Sequence, residues 1–218
     1  LLARRQELLN FITKSDTYLP DSILHDDLDR GMLDYVKKTF VIVSDNKQIP
    51  FIDKILTIQR WAELSKTWQY TNEDGNIEIP FICIVRKPEV NLGTNPAVQR
   101  TIPDRHQFYY ASVPTWDGNM QGMDIYTIPQ PVPVDINYSL KIICNRMREL
   151  NEFNKNVLQT FASKQAYRKI EGHFIPIVQG NISDESVVEV EKRRFYIQNY
   201  EFTMLGFLLD PDEFEVAP

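Results

Sequence analysis

Between Ile128 and Phe161 the chain follows three rules in succession, and the first two restrict the fold most. Pro129, Pro131 and Pro133 recur at every second position. In an extended chain their missing N–H groups all face one side, so that side cannot be stitched to a neighbouring strand. An edge strand or a polyproline-like lead-in is expected. Strict alternation follows, with Val134, Ile136, Tyr138, Leu140 and Ile142 on one face and Asp135, Asn137, Ser139 and Lys141 on the other, which is the two-residue period of a strand. One face is expected on a core, the other in water or against a partner. From Asn145 the period becomes helical, with Met147, Leu150, Phe153, Val157, Leu158 and Phe161 forming an apolar stripe clear of Arg146, Arg148, Glu149, Glu152 and Lys155. A strand feeding a helix over 145–163 is predicted.

The flanking segments are read by the same periods. Leu1, Leu8, Leu9 and Ile12 predict an amphipathic helix over 1–13, too charged for the apolar core of a secretion signal. Leu24, Leu28, Met32 and Val36 predict a second helix after Pro20-Asp21-Ser22, with Gly31 as its weak point. Residues 40–43 read as a short strand closed by the turn residues Ser44-Asp45-Asn46, and 53–68 as a third helix carrying Trp61 and Trp68 one heptad apart, in the core or as an interface hot spot. Residues 77–85 form a strand interrupted by Pro80, and 86–104 a long loop. Strands at 107–113 and 123–128 pair as a hairpin. The tail from Tyr167 to Leu209 reads as strands: Phe174, Pro176 and Val178 share a side, Gly180-Asn181 turns, Ser186 to Glu191 alternates, and the apolar parity changes between Gln198 and Asn199, as a β-bulge would produce. The fold class is therefore α+β: a mixed or antiparallel sheet packed against helices, with an N-terminal helical portion and a C-terminal β-ribbon. At 218 residues the chain can bury one core without staples. It is read as a single domain over 1–218, mainly helical over 1–70, with the sheet and helix 145–163 inside 77–210.

Charge and residue usage narrow the chemistry. A formal net charge of −6 opposes general binding to phosphate backbones, which depends on Lys and Arg displacing counterions. The short basic runs Arg4-Arg5 and Lys192-Arg193-Arg194 read as solvated or partner-pairing groups. Cys83 and Cys144 lie in apolar runs without a C-x-x-C, so they are expected as buried free thiols in a chain made in a reducing cytoplasm, and no metal site is expected. No apolar run approaches the length of a membrane-spanning helix, so no membrane partner is expected. His25, His106 and His173 share no ligand spacing. Glu189-Val190-Glu191-Lys192 invites comparison with a metal-dependent nuclease, but Glu191 and Lys192 are adjacent and would point to opposite faces of a strand. Gly118-Asn119-Met120-Gln121-Gly122 precedes a strand rather than a helix, so it reads as a turn and not a phosphate loop. The acidic pairs Asp26-Asp27 and Asp210, Asp212 with Glu213 read as helix-start and terminal charges. No catalytic residue and no cofactor is assigned.

The run Pro131-Val132-Pro133-Val134-Asp135-Ile136-Asn137-Tyr138-Ser139-Leu140 followed by a polar-faced helix resembles the neck and tail-terminator proteins of tailed bacteriophages, over roughly residues 105–210. The resemblance implies a non-catalytic structural protein of the virion: a sheet packed on helices, identical subunits closed into a homo-oligomeric ring between portal or adaptor and tail tube, and a lumen through which genomic DNA passes without specific binding. On that reading edge strands and the terminal ribbon join neighbours. Pro131, Pro133, Asp135 and Asn137 are the candidate interface residues, Val134, Ile136 and Tyr138 pack the core, and Phe195, Tyr200 and Phe202 serve as core or interface. The extra N-terminal helices and the 86–104 loop leave open a terminator, a head-side adaptor or another ring of a short-tailed virion. A baseplate or tail-hub component, and a small hydrolase or nuclease with an unrecognised site, remain as alternatives.

Overall fold

In the computed structural model the described residues are 20–44, 47–73, 75–94, 108–114, 123–186, 195–210, 212 and 214–216, with backbone alone at 108–114, 123–126 and 215–216. Helix α1 (His25–Thr39) forms on the anticipated stripe, burying Leu28, Met32, Tyr35 and Val36, with Asp26 and Asp27 in its first turn and Lys37 and Lys38 in its last, as the helix dipole favours. The Leu24 N–H donates to the Asp27 carboxylate at 3.0 Å, closing the first turn. A Cβ on Gly31 would lie 2.4 Å from Ile170 Cδ1, so the glycine permits close approach of the helix to the sheet.

Strands β1 (Val43–Ser44) and β2 (Lys47–Gln48) form a small ribbon. This is less strand than anticipated, because Phe40 and Ile42 are drawn into the core. The helix expected from Asp53 begins later: α2 is Ile58–Thr67, started by the Thr57 hydroxyl accepting from the Arg60 N–H. Residues 50–56 stay extended because they bond alongside a strand. Ile82 N–H donates to Pro50 O (3.0 Å), Ile52 N–H to Ile82 O (2.9 Å), Leu56 N–H to Ile84 O (2.8 Å) and Arg86 N–H to Leu56 O (2.9 Å).

Hairpin β3 (Gln69–Asn72) and β4 (Gly75–Glu78) precedes the cis Ile79–Pro80 peptide and β5 (Phe81–Leu92). Then come β6 (Phe108–Pro114) and β7 (Met123–Pro129), paired as anticipated, β8 (Val132–Cys144), α3 (Met147–Thr160), β9 (Gln165–Ile170), β10 (His173–Asp184), β11 (Tyr196–Leu208) and β12 (Glu215–Val216). The main sheet is antiparallel throughout, in the order β5-β8-β11-β10-β9, and β12-β7-β6 makes a second sheet. The chain is thus a mixed helix-and-strand protein whose five-stranded antiparallel sheet packs with helices.

Three expectations are corrected. First, of the edge strand or polyproline-like lead-in expected at the prolines, the edge does not hold, because β8 is a central strand: Leu140 is paired with Ile84 on one side and with Tyr200 on the other. Pro131 precedes the strand, and Pro133, facing Phe207, contributes its carbonyl to the Gly93 N–H at 2.9 Å. The prolines end where two-sided pairing begins, so every residue from Val134 inward has the donor it needs. Second, β11 carries no bulge; its register with β8 runs unbroken from Tyr196↔Cys144 to Leu208↔Val132. Apolar parity changes because the strand is buried on both faces, Ile197 in one cluster and Tyr200, Phe202 and Met204 in the other. Third, register shifts fall instead in β10 between Gln179 and Ile182, where a turn was expected, and in β5 between Arg86 and Val90, inside the expected loop. Phe174, Pro176 and Val178 do share a side, but the deep core takes the opposite one, Ile175 and Ile177. The expected helix 1–13, the turn at 118–122, the alternation after Ser186 and the 95–104 part of the expected loop lie outside the described residues.

Two apolar clusters hold the sheet. The larger lies between it and helices α1 and α3, where Phe40, Phe153, Phe161, Tyr200 and Phe202 meet ring to ring, with Phe161 and Phe202 centroids 4.9 Å apart. The smaller covers the opposite face at one end, where Phe81, Cys83, Val85, Ile143 and Ile197 meet Ile52, Leu56, Leu64 and Ile77. Trp61 and Trp68 pack edge to face on its margin, 6.1 Å apart.

Candidate functional site

Beyond the smaller cluster, the face of β8 turned away from α1 and α3 becomes polar, because the second set of its alternation, Asp135, Asn137, Ser139 and Lys141, points there. Across the sheet they face Leu205, Thr203, Glu201 and Asn199 of β11. The strip satisfies itself to a large extent. Thr203 Oγ1 donates to Asn137 Oδ1 at 2.8 Å, and Lys87 Nζ reaches Glu201 Oε1 at 2.7 Å. Lys141 pairs with Glu185 and lies 4.9 Å above the Trp61 ring, so its buried ammonium has a counter-charge and an aromatic face in place of water. Asp135 accepts from the Thr94 N–H through both carboxylate oxygens and from the Thr94 hydroxyl at 2.8 Å. Of the two surroundings expected for this face, water or a partner, water fails at Asp135, Ser139 and Lys141, all buried within the chain itself. Two-sided burial of a polar row is stable only when each group finds a partner inside.

Gly93 sets the approach of Thr94 to Asp135. A Cβ there would lie 2.5 Å from Val134 N and 2.6 Å from Pro133 C, and backbone atoms of a central strand cannot yield. Gly93→Ala is expected to destabilise the fold by about 1–3 kcal/mol through overpacking, read from urea unfolding; a cost within error of zero would show that the 93–94 segment is not held there.

The candidate interface residues are placed as follows. Pro131 is half-buried at the turn into β8 and Pro133 is buried within it. Asp135 is engaged by Thr94, and Asn137 is half-buried beside Thr203. Phe195 is half-buried, its ring 5.6 Å from Trp68. Tyr200 and Phe202 are core: the Tyr200 hydroxyl donates to Asn154 Oδ1 at 2.5 Å, and Phe202 lies under Phe40 and Phe161. Of the core or interface roles expected for them, these two take the core and not the interface, since neither retains surface to offer a neighbour. Val134, Ile136 and Tyr138 are buried packing residues, as expected.

Surface for a partner lies elsewhere. Leu92 (79% exposed) and Tyr167 (63%) are large apolar groups on the outer strands β5 and β9, with Val90 of β5 also exposed, and Phe174 (71%) and Ile182 are exposed on the neighbouring strand β10. Among the described residues, no strand pairs with the outer side of β9 or with the side of β5 turned away from β8 beyond Arg86, whereas that side of β5 from Ile82 to Arg86 is closed by residues 50–56. The two open edges stand at one height, because Ile177 of β10 faces Met204, which faces Ile136, which faces Val90. Sequence reasoning missed these residues because edge and centre share one alternation; only strand order separates them.

Among the described residues no group of three or more His, Cys, Asp or Glu could hold a metal ion. A His173 ring nitrogen bonds Asp21 O at 2.8 Å while the ring packs on Phe207; His106 lies outside the described residues. Both cysteines are free and buried. Burial pushes the Cys83 thiol far up, and burial together with the Glu149 charge pushes Cys144 up to about 12, so neither is a thiolate at neutral pH. No model of a known protein family matches the sequence, and no curated protein matches it.

Proposed function

We propose that this chain is a structural virion protein, a ring at the head–tail neck or tail terminus of a tailed bacteriophage, which joins head to tail and passes DNA without catalysis. The observation that carries the reading is the pair of open edges, β9 and the far half of β5, level with each other on opposite sides of one sheet. The two edges differ, so joining β9 of one copy to β5 of the next is a heterologous contact, which propagates and can close into a ring. The sheet is antiparallel with five strands, so β5 and β9 run in the same direction. A join that keeps α1 and α3 on one face therefore pairs them in parallel.

Tyr167, Phe174, Val90 and Leu92 supply the apolar part of this contact. The far half of β10, Gln179–Asp184, extends past β9 and acts as the arm of a C-terminal ribbon, while the N-terminal helical portion reaches the neighbouring virion proteins, portal or adaptor on one side and tail tube on the other. Further support comes from the resemblance over 105–210 and from the net charge of −6, which repels phosphate and leaves DNA free to slide.

Mass measurement in solution with negative-stain imaging of the purified chain tests this: closed rings of one size are expected. Leu92→Asp combined with Tyr167→Asp is expected to leave monomers with an unchanged circular dichroism spectrum. A wild-type chain that stays monomeric at the highest attainable concentration ends the proposal.

A further inference from the structure

The two side edges of the main sheet are stepped, and both steps fall at one level. Strand pairing defines the rows: Ile84, Leu140, Tyr200 and Ile182 stand in one, and Val90, Ile136, Met204, Ile177 and Ala166 in the next. At the Val90 row β9 is present and the far side of β5 is open. At the Ile84 row the reverse holds. Residues 50–56 lie outside β5 there as an additional extended segment, parallel to it, with Phe51 beside Ile82 and Leu56 beside Val85. On the other edge β10 continues alone, because its pairing with β9 ends at Val178 and a last bond joins the Gln179 N–H to Lys164 O at 3.0 Å. Ile182, Ser183 and Asp184 are exposed and, among the described residues, pair with β11 only. An unpaired side of a strand is a template for another chain.

One edge thus lacks a strand where the other carries an extra one. When β9 of one copy joins β5 of the next, the Val90 row runs from β11 of the first to β8 of the second through β10, β9 and β5. The Ile84 row runs through β10, the neighbour's segment 50–56 and β5. Both rows cross the same number of strands, so the joined sheet has neither gap nor overlap. Direction agrees as well: segment 50–56 runs with β5, hence with β9, and lies antiparallel to β10 as β9 does. The chain leaves the segment and enters β9 on opposite faces, since Leu64 of α2 belongs to the smaller cluster and Phe161, ahead of β9, to the larger.

The side chains at the notch match. The Asn72 side chain takes Phe51 O at 2.9 Å and the Asp53 N–H at 3.3 Å, which leaves Ile55 as the residue of the segment whose outward backbone groups have no partner among the described residues. Ile55 lies beside Ile84 and packs on the margin of the larger cluster. Ile182, opposite Tyr200 of that cluster, points to the same face and is 37% exposed. We propose that residues 50–56 of one copy fill the notch beside Ile182–Asp184 of the next, with Ile55 against Ile182. This second contact rests on the ring reading above and adds to it a lock that fixes how neighbours are aligned along the strands.

The test is disulfide capture in the purified chain, whose own cysteines are both buried. Adjacent strands stand about 4.8 Å apart, a spacing that facing cysteines can bridge. Ile55→Cys combined with Ile182→Cys is expected to give covalent multimers on mild oxidation, and each single variant none. Val90→Cys combined with Ala166→Cys reports the β9–β5 join by itself. Capture by the Val90 and Ala166 pair without capture by the Ile55 and Ile182 pair overturns the notch contact and leaves the ring reading standing; capture by neither pair overturns both. Ile182→Asp, at an exposed side chain, is expected to raise the concentration needed for rings at least tenfold with an unchanged circular dichroism spectrum, and unaltered assembly of that variant also overturns the proposal. Should Ile55→Cys fail to fold, Ile182→Asp decides alone.

Discussion

Truncating Phe40 to alanine is expected to destabilise the fold by about 3–5 kcal/mol, the usual cost of deleting a buried aromatic ring. Phe40 is fully buried where the chain leaves α1, and its ring meets Tyr35 at 6.2 Å, Phe153 at 5.7 Å, Phe161 at 6.4 Å and Phe202 at 6.4 Å. These partners belong to α1, α3, the residue capping α3 and β11, so one side chain ties both helices to the sheet. The void could close only by moving a helix, and close-packed interiors resist that. Urea unfolding should show a lower midpoint at unchanged slope. Phe174→Ala, on an exposed ring, should stay within about 0.5 kcal/mol of wild type. A Phe40→Ala cost no larger than that of Phe174→Ala would show that the helices are not held through this cluster.

Asp29→Ala is expected to cost about 2–4 kcal/mol, set below the range for a fully buried pair because part of the carboxylate still sees solvent. Asp29 Oδ2 meets Arg86 Nη1 at 2.5 Å, and Oδ1 accepts from the Tyr138 hydroxyl at 2.6 Å. Removing the carboxylate strands a guanidinium and the hydroxyl of a fully buried tyrosine on the α1 face of the sheet. Tyr138→Phe alone should cost about 1 kcal/mol, and the double variant less than the sum, with a coupling of about 1 kcal/mol. Strict additivity would mean that the two groups do not share a bond. The same tyrosine sets an alkaline limit. Burial first, then the Asp29 charge and hydrogen bond, raise its pKa above the ordinary 10.0, so the folded state keeps a proton that the unfolded chain releases. Its contribution is whole below pH about 10 and declines above it, and Tyr138→Phe should flatten that decline.

The local readings that survive are those in which a period and a boundary residue agree. α1, α3 and the alternation of β8 were legible because each repeats a burial pattern over three or more turns or strand pairs. The late start of α2 was not. Ile55 and Ile58 fit a helical stripe, yet Ile52 and Leu56 have a better use beside β5, where their backbone groups close an edge, a gain no local window contains. The parity change in β11 and the loop assigned to 86–104 went astray for a related reason. Two-sided burial looks like a bulge, and a strand with one exposed flank looks like a loop.

The site followed the same division. The pattern of residues alone determined that Asp135, Asn137, Ser139 and Lys141 share one face of a strand and that both cysteines are buried, because two-residue alternation and apolar surroundings are properties of neighbours in the chain. That β8 lies in the middle of the sheet, that Tyr200 and Phe202 are core, that Tyr167, Phe174 and Leu92 are outside, and that Ile55 and Ile182 stand level on opposite edges were decided only by tertiary structure. Strand order and the meeting of segments 100 residues apart depend on pairing and burial summed over the whole fold, and no stretch of sequence encodes them by itself.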